Sequence, residues 1–509
     1  MKPAIPQAQT SSNKPNKPLK NEIPKMTAVL CKRCNVSEAV VKSRKEIFCK
    51  ECFTKFITLK LRKMLMSKET ESVFKVIYDP KNPQREKEFN PPNCKVLLPC
   101  SFGSSSLTVL HILVDYLKEQ HSQHKKYGFK LEVLTLYCDE EQLIKYKAII
   151  EKLKSMHDFQ ISSDFLKFTL LDVNRYFLDN NNTAVLTIGE DYATQESVSP
   201  ETRNSMSLTE SLQNAFPTNK LVTSKQDLLD IFTQNIIKVY YNSDPKFKQL
   251  LWGSSMTKIA DQVISNVVKG RGASIAKELE FGMYPLTDVF LSEIDAYFLL
   301  HFRDTYEELL YHYVPQPTLF LNKDTEYCDI PCNEVLAKNA KTINQFAREY
   351  FDSIEGDYSN VISTVVRTAL KLDTPGDLRK IDLEDNQQNQ DSNVTLCRVC
   401  ESPCYQDIKD TEKKSATAWL NNITVHEGYP VETDVEKGYY HQWQTSTETS
   451  SANLHMSNLD SKTVSLCYGC SVTLHTSSSK SIAWVQKKDT DETELQSVLN
   501  DYILSDNED

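Results

Sequence analysis

Apolar positions change their spacing along this chain, and each change marks an element. In Lys95 to Leu117 (KVLLPCSFGSSSLTVLHILVDYL) the run Val96 to Leu98 reads as a buried strand. It breaks into the small-residue turn Ser101 to Ser106, after which Leu107, Leu110, Val114 and Leu117 fall on one helical face. A strand that ends in a hydroxyl-rich loop opening a helix is how an α/β domain presents backbone N–H groups to a phosphate. Further strands are expected at Leu131 to Tyr137 and Phe165 to Leu171, with a helix at Glu140 to Leu153 between them. A helix at Gln226 to Tyr240, with Ser224 and Asp227 as its N-terminal cap, leads to a short strand at Lys248 to Leu251. The next helix starts near Ser255, keeps Ile259, Val263, Ile264 and Val267 on one face, and ends at Lys269-Gly270-Arg271-Gly272. Strands alternating with helices predict an α/β fold with a doubly wound parallel sheet and any ligand at the carboxyl ends of its strands.

Outside this domain the pattern weakens. Phe53 to Met66 (FTKFITLKLRKMLM) predicts a basic amphipathic helix leading away from the residues before it, and Lys81 to Cys94, with three prolines, predicts a linker. Pro285 to Leu300 reads as a helix entered at Pro285, helical spacing continues from Val335 to Leu370, and Asp382 to Asn393 is a polar break. The expected organisation is a disordered basic tail (1–28), a ribbon with a basic helix (29–66) and an α/β domain (67–300) with an insertion loop near 176–222. A helical extension with a polar linker (301–390), a cysteine-knuckle domain (391–480) and an acidic tail (481–509) follow.

Composition narrows the class. The 509 residues are 40% hydrophobic and 25% charged, with no apolar run near the roughly 20 residues that span a bilayer and no signal-peptide core at the polar N-terminus. A soluble intracellular protein without a membrane partner is expected. The net charge of -10 is uneven, because residues 1–66 carry 15 Lys/Arg against 4 Asp/Glu. A basic arm on an acidic body suits a local phosphate-backbone contact, although a solvated tail has the same composition. Lys32, Arg33, Lys60, Arg62 and Lys63 are the candidate contacts.

The cysteines carry the chemistry. Of 14, eight form four Cys-x-x-Cys pairs, which without a secretory signal reads as metal binding rather than disulfides. Cys31 and Cys34 precede Cys49 and Cys52 at the spacing of a zinc ribbon, where four thiolates close a tetrahedral structural site. Cys397 and Cys400 pair in the same way with Cys467 and Cys470 across a long insertion, with Cys404 as a spare ligand and His475 at the surface. Zinc is the expected ion, with an iron–sulfur cluster the alternative at each set. Cys328 and Cys332 lie in a loop as ordinary thiols, a cluster role being left open. Arg271 suits either a phosphate or the carbonyls at its helix end.

With these pieces placed, the chain resembles the cytoplasmic tRNA 2-thiolation protein 2 family, the partner subunit of the cytosolic tRNA thiolase. CKRC with CKEC, the loop SFGSSS, the segment GSSMTKIADQVISNVVKGRG, and CRVC with CYGC carry the resemblance over most of the chain. It implies the degenerate fold of a PP-loop ATP pyrophosphatase, whose active loop reads Ser-Gly-Gly-x-Asp-Ser. Ser101, Gly103 and Ser106 match that loop, whereas Phe102 replaces a glycine and Ser105 replaces the aspartate. Ser101, Gly103, Ser104, Ser105, Ser106, Gly253 and Arg271 then outline a degenerate nucleotide site. Losing a charge-stabilising group commonly costs about 10²–10³ in rate, so ATP chemistry is not expected here and no residue is assigned a catalytic role. No cysteine pair for sulfur handling lies near the second strand, where Cys138 stands alone. The resemblance implies a cytoplasmic, non-catalytic or weakly catalytic subunit for 2-thiolation of wobble uridine (5-methoxycarbonylmethyl-2-thiouridine). Its implied partners are a catalytic thiolase subunit, tRNA and a thiocarboxylated ubiquitin-like sulfur carrier. A stand-alone adenylating tRNA ligase and a non-enzymatic zinc-ribbon scaffold are the alternatives.

Overall fold

The computed structural model describes residues 29–79, 81–174, 183–188, 193–197, 212, 222–311, 313–321, 341–372, 394–405, 463–464, 466–475 and 481–485. The hairpin β1 (Val41–Ser43) and β2 (Glu46–Phe48) leads into α1 (Lys50–Leu65). The central domain runs through β3 (Lys95–Pro99), α2 (Ser104–His124), β4 (Lys130–Tyr137), α3 (Glu140–Ser155) and β5 (Leu166–Asp172). After β6 (Thr183–Ile188) and β7 (Ala193–Ser197) come α4 (Val222–Asn242), β8 (Phe247–Leu250) and α5 (Met256–Val268). The chain continues through α6 (Leu291–Phe302), α7 (Ile343–Ala369), β9 (Val394–Leu396), β10 (Pro403–Tyr405), β11 (Thr463–Val464), α8 (Tyr468–His475) and β12 (Ser481–Val485).

The central sheet has the order β5-β4-β3-β8 and every pair in it is parallel. Alternation along the strands divides the apolar side chains between two faces. Val96, Leu98 and Val133 pack with Leu110 and Leu113 of α2 and with Phe298 of α6, while Leu97 and Leu134 meet Ile237 of α4 on the other face. Both faces are covered, as expected for a doubly wound sheet. The chain moves outward from β3 to β5 and returns on the far side of β3, so the loops after β3 and β8 meet at the switch point.

Several expectations need correction. The helix α1 does not lead away: Phe53, Ile57, Leu61 and Leu65, at helical spacing, are buried in the same core as α2 and α6. A buried carboxylate pins it there. Glu293 of α6 accepts from Ser43 Oγ (2.5 Å), Arg44 Nε (2.9 Å) and Phe290 N (3.0 Å), and lies 3.6 Å from Lys60 Nζ. That bond to Phe290 N also explains why α6 begins at Leu291 and not at Pro285. Residues before it run through turns, with isolated bridges from Met283 to Leu251 and from Leu286 to Ser255. The expected linker Lys81 to Cys94 contains a short helix at Pro83–Glu88, capped by Asn82 Oδ1 on Arg85 N (3.2 Å).

The 176–222 insertion holds β6 and β7, and the start of the expected acidic tail holds β12. With β11 they form a second, antiparallel sheet in the order β11-β7-β6-β12. The β6–β7 hairpin is local but lies in a stretch read as a polar insertion loop, and β11 and β12, whose partners lie hundreds of residues away, leave no local hairpin signal. Residues 1–28, Cys328, Cys332, Asp382 to Asn393 and Asn421 to Lys462 lie outside the described residues.

Candidate nucleotide loop and cysteine centres

The turn after β3 opens α2 and turns three of its four hydroxyls inward. Ser101 is exposed, whereas Ser104, Ser105 and Ser106 are buried at the start of α2, with Gly103 as N-cap. Ser104 Oγ donates to Asp295 Oδ1 (2.8 Å), and Ser106 Oγ donates to Gly103 O (3.1 Å). Asp295 also accepts from Tyr313 OH (2.5 Å) and Gln316 N (3.0 Å), and burial pushes its carboxyl up to about 6. The Ser105 hydroxyl is buried without a partner among the described residues.

Phe102 occupies the glycine position at φ +51°, in the left-handed region where a side chain is strained. Its ring is fully buried 5.3 Å from that of Tyr146, and its carbonyl accepts from Tyr311 N (2.9 Å). The Phe102 ring is thereby committed to the core beside α3. Gly253, from the loop after β8, lies so close that a Cβ there would be 2.8 Å from Ser106 Cα. That glycine serves a backbone contact between the two switch-point loops.

The N-terminal cysteines converge as their spacing predicts. The Sγ atoms of Cys31, Cys34, Cys49 and Cys52 all lie within 4.8 Å of one another, and Cys34 Sγ is 3.8 Å from Cys49 Sγ. Tetrahedral zinc–thiolate bonds of about 2.3 Å place sulfurs roughly 3.8 Å apart, so the set fits such an ion. Backbone groups of Ser37 and Val36 pull the Cys34 thiol down to about 6, while burial pushes Cys52 up to about 12. Four thiolates at this spacing need a cation to be ionised together.

The C-terminal set, Cys397, Cys400, Cys467 and Cys470, is equally compact, with Cys400 and Cys467 Sγ 3.4 Å apart. Around it lies an arrangement that sequence reasoning missed. Arg271, whose side chain is 2% exposed, donates Nη1 to Cys470 Sγ (3.1 Å) and lies 3.8 Å from Cys467 Sγ. Its Nε and Nη2 donate to Asp227 Oδ2 at 3.0 and 2.6 Å. Lys269 Nζ lies 3.2 Å from Asp227 Oδ1, and Thr473 Oγ1 donates to Asp227 Oδ2 at 3.2 Å. Arg271 thus serves neither a phosphate nor a helix end, and Asp227 is no helix cap but the arginine's counterion. The glycines fit this interlock: a Cβ at Gly270, where φ is +75°, would lie 2.5 Å from Tyr468 Cδ1. One at Gly469 would lie 2.6 Å from Arg271 Cγ. Two glycines beside a central arginine, and a glycine before the last cysteine, were the only signal available. The expected knuckle domain is consequently built onto the α/β domain, its cysteines sharing a core with Leu228, Phe232 and Ile236 of α4. The side chains of Cys404 and His475 lie outside the described residues.

The basic candidates divide. Lys32 and Lys63 are exposed. Arg33 pairs with Glu46 (3.1 Å), Arg62 with Glu119 (2.6 Å), and Lys60 is held between Glu293 and the carbonyl of Asp288 (2.8 Å). Cys138 is half-buried at the end of β4, its thiol raised by burial.

Together these features define an α/β protein with a serine-rich switch-point loop anchored to the core by Phe102 and two four-cysteine centres, each able to hold a metal ion. A family profile described as cytoplasmic tRNA 2-thiolation protein 2 matches residues 342–472, which carry α7 and the four cysteines of the C-terminal centre. Proteins of that name from Vanderwaltozyma polyspora and Kluyveromyces lactis are 37% and 38% identical to the chain, each over 94% of it and 98% of their own length. The one from Saccharomyces cerevisiae S288c is 32% identical, over 93% of this chain and 99% of its own. The chain belongs to the cytoplasmic tRNA 2-thiolation protein 2 family. A solved structure, the U34-tRNA thiolase NcsA from Methanococcus maripaludis with its [4Fe-4S] cluster, aligns at 16% identity and a TM-score of 0.41. That alignment spans 74% of this chain and 96% of NcsA. No helix among the described residues is long and apolar enough to cross a membrane.

Proposed function

We propose that this chain is the non-catalytic member of a heterodimeric cytoplasmic tRNA thiolase that places sulfur on the wobble uridine. An active partner would adenylate the uridine, and a thiocarboxylated ubiquitin-like protein would deliver the sulfur. Family membership supports the process, and the loop anchored by Phe102 supports the division of labour. The observation that carries the reading is Phe102, a left-handed residue of the loop whose ring is committed to the core against Tyr146, where a glycine would leave the backbone open to a phosphate. The loop Ser101 to Ser106 offers no carboxylate to hold a magnesium ion on pyrophosphate, and its Ser104 and Ser106 hydroxyls bond within the protein.

Both cysteine sets take structural zinc in this reading, bound by Cys31, Cys34, Cys49 and Cys52 and by Cys397, Cys400, Cys467 and Cys470. The ion cross-links segments distant in sequence and stabilises the thiolates. The ribbon presents Lys32 and, along α1, Lys63 to the tRNA backbone, with Lys42, Lys45, Lys50 and Lys55 exposed on the same unit. Arg33, Lys60 and Arg62, already paired, shape that surface.

Removing the protein from cells and measuring 2-thiouridine in tRNA tests the role, and unchanged levels would sink it. Pyrophosphate release from ATP by the purified chain alone would overturn the non-catalytic assignment. Metal analysis with absorption spectroscopy separates zinc from an iron–sulfur cluster in each set.

A further inference from the structure

A second basic feature lies at the opposite end of the sheet from the loop of Ser101 to Ser106. A groove of about 600 Å³ opens between the short helix Pro83–Glu88, the end of α2 and the residue before β5. Its floor is a column of rings. The His121 imidazole stacks on Tyr127 at 4.7 Å and an interplanar angle of 17°, and Tyr127 contacts Phe165 at 4.1 Å. Lys130 Nζ sits 5.7 Å from the Phe165 centroid beneath them. Lys87, Lys125 and Lys126 line the walls, are exposed, and make no ion pair among the described residues. Glu86 is the one carboxylate among the lining residues. The C-terminal end of α2 adds about half a negative charge, which three ammonium groups outweigh.

We infer that this groove binds an unpaired nucleotide of the RNA, its base on the exposed face of His121 and its flanking phosphates on Lys87, Lys125 and Lys126. A planar ring stack extended by an exposed imidazole offers a base its next stacking position, and stacking of this kind tolerates any base. The free lysines supply the sequence-independent term. Along α2, Ser104 and His121 are separated by roughly 26 Å at 1.5 Å per residue, so the contact is distinct from the switch-point loop. The inference rests on the reading that the partner is tRNA.

The test is the binding of full-length protein to an unmodified tRNA transcript, and to a blunt RNA duplex of equal charge, across a salt series. For the variant Lys87→Gln/Lys125→Gln/Lys126→Gln, the slope of log K against log salt should fall by about 2 to 3, at 0.7–0.9 per phosphate contact. His121→Ala should weaken tRNA roughly five- to hundred-fold, leave the slope unchanged and spare the blunt duplex. All four positions are exposed, so these variants fold. Wild-type protein that fails to bind tRNA at any salt overturns the tRNA reading itself. Wild-type binding that the lysine variant leaves unchanged overturns the groove alone. Equal effects of His121→Ala on tRNA and duplex overturn the unpaired base, and polyglutamate competing as well as RNA reassigns the groove to an acidic peptide.

Discussion

Replacing Arg271 by methionine removes a side chain that joins the thiolates of the C-terminal centre to the α/β domain. The substitution keeps volume and apolar stem but takes away two bonds to Asp227, at 2.6 and 3.0 Å, and one to Cys470 Sγ at 3.1 Å. Asp227, with its side chain 5% exposed, keeps Lys269 and Thr473 as partners. Breaking a buried pair from one side costs about 3–5 kcal/mol, and the surviving partners place this case near 3 kcal/mol. A divalent ion on four thiolates leaves two net negative charges, one of which the guanidinium offsets. Loss of such an outer contact lowers metal affinity about 10- to 100-fold. Chelator-induced metal release should therefore accelerate at the C-terminal set while the N-terminal set keeps its ion, and thermal unfolding should begin earlier. Arg271→Lys should recover part of the stability but little of the metal retention, since an ammonium cannot fork between a carboxylate and a sulfur. Unchanged release and unchanged melting in Arg271→Met would refute the reasoning.

Phe102→Gly relieves left-handed strain of about 1 kcal/mol but empties the space of a buried ring, for a net loss of about 2–4 kcal/mol in denaturant unfolding. It should confer no pyrophosphate release from ATP. Glu293→Ala leaves the largely buried Lys60 ammonium unpaired and should cost about 3–5 kcal/mol, read as faster proteolysis of residues 29–66 than of the central domain. Gly270→Ala meets both the positive φ and the Tyr468 ring, so it should destabilise by more than about 1 kcal/mol and loosen the C-terminal metal. His111 and His301, buried with ring centroids 5.1 Å apart, are held neutral by burial to about pH 4. Their folded values lie below the unfolded 6.5, so the stability they allow is present above pH 6.5 and is lost as pH falls toward 4. A pH series of melting temperatures should show this fall, and a series flat between pH 6.5 and 4.5 would refute it.

The local elements were legible because their signals are local. Val96 to Leu98, Leu131 to Tyr137 and the helix after Ser255 announce themselves by period, and the ribbon announces itself by cysteine spacing. Phe102, where the resemblance implies a glycine, already set the loop apart from the family's active pattern. Tertiary structure decided what these pieces touch. The path of α1 depended on Glu293, a carboxylate some 230 residues away whose burial no spacing reveals. The second sheet depended on β12 finding β6 across most of the chain. Arg271 was visible as an arginine between glycines, but only the fold brings Asp227 and Cys470 to it. A side chain's period reports the face it occupies, whereas its partner is set by chain closure over hundreds of residues. For that reason the sequence by itself determined the strands, the helices and the two cysteine sets, and the tertiary structure alone decided which charges among the described residues were paired and which were left exposed.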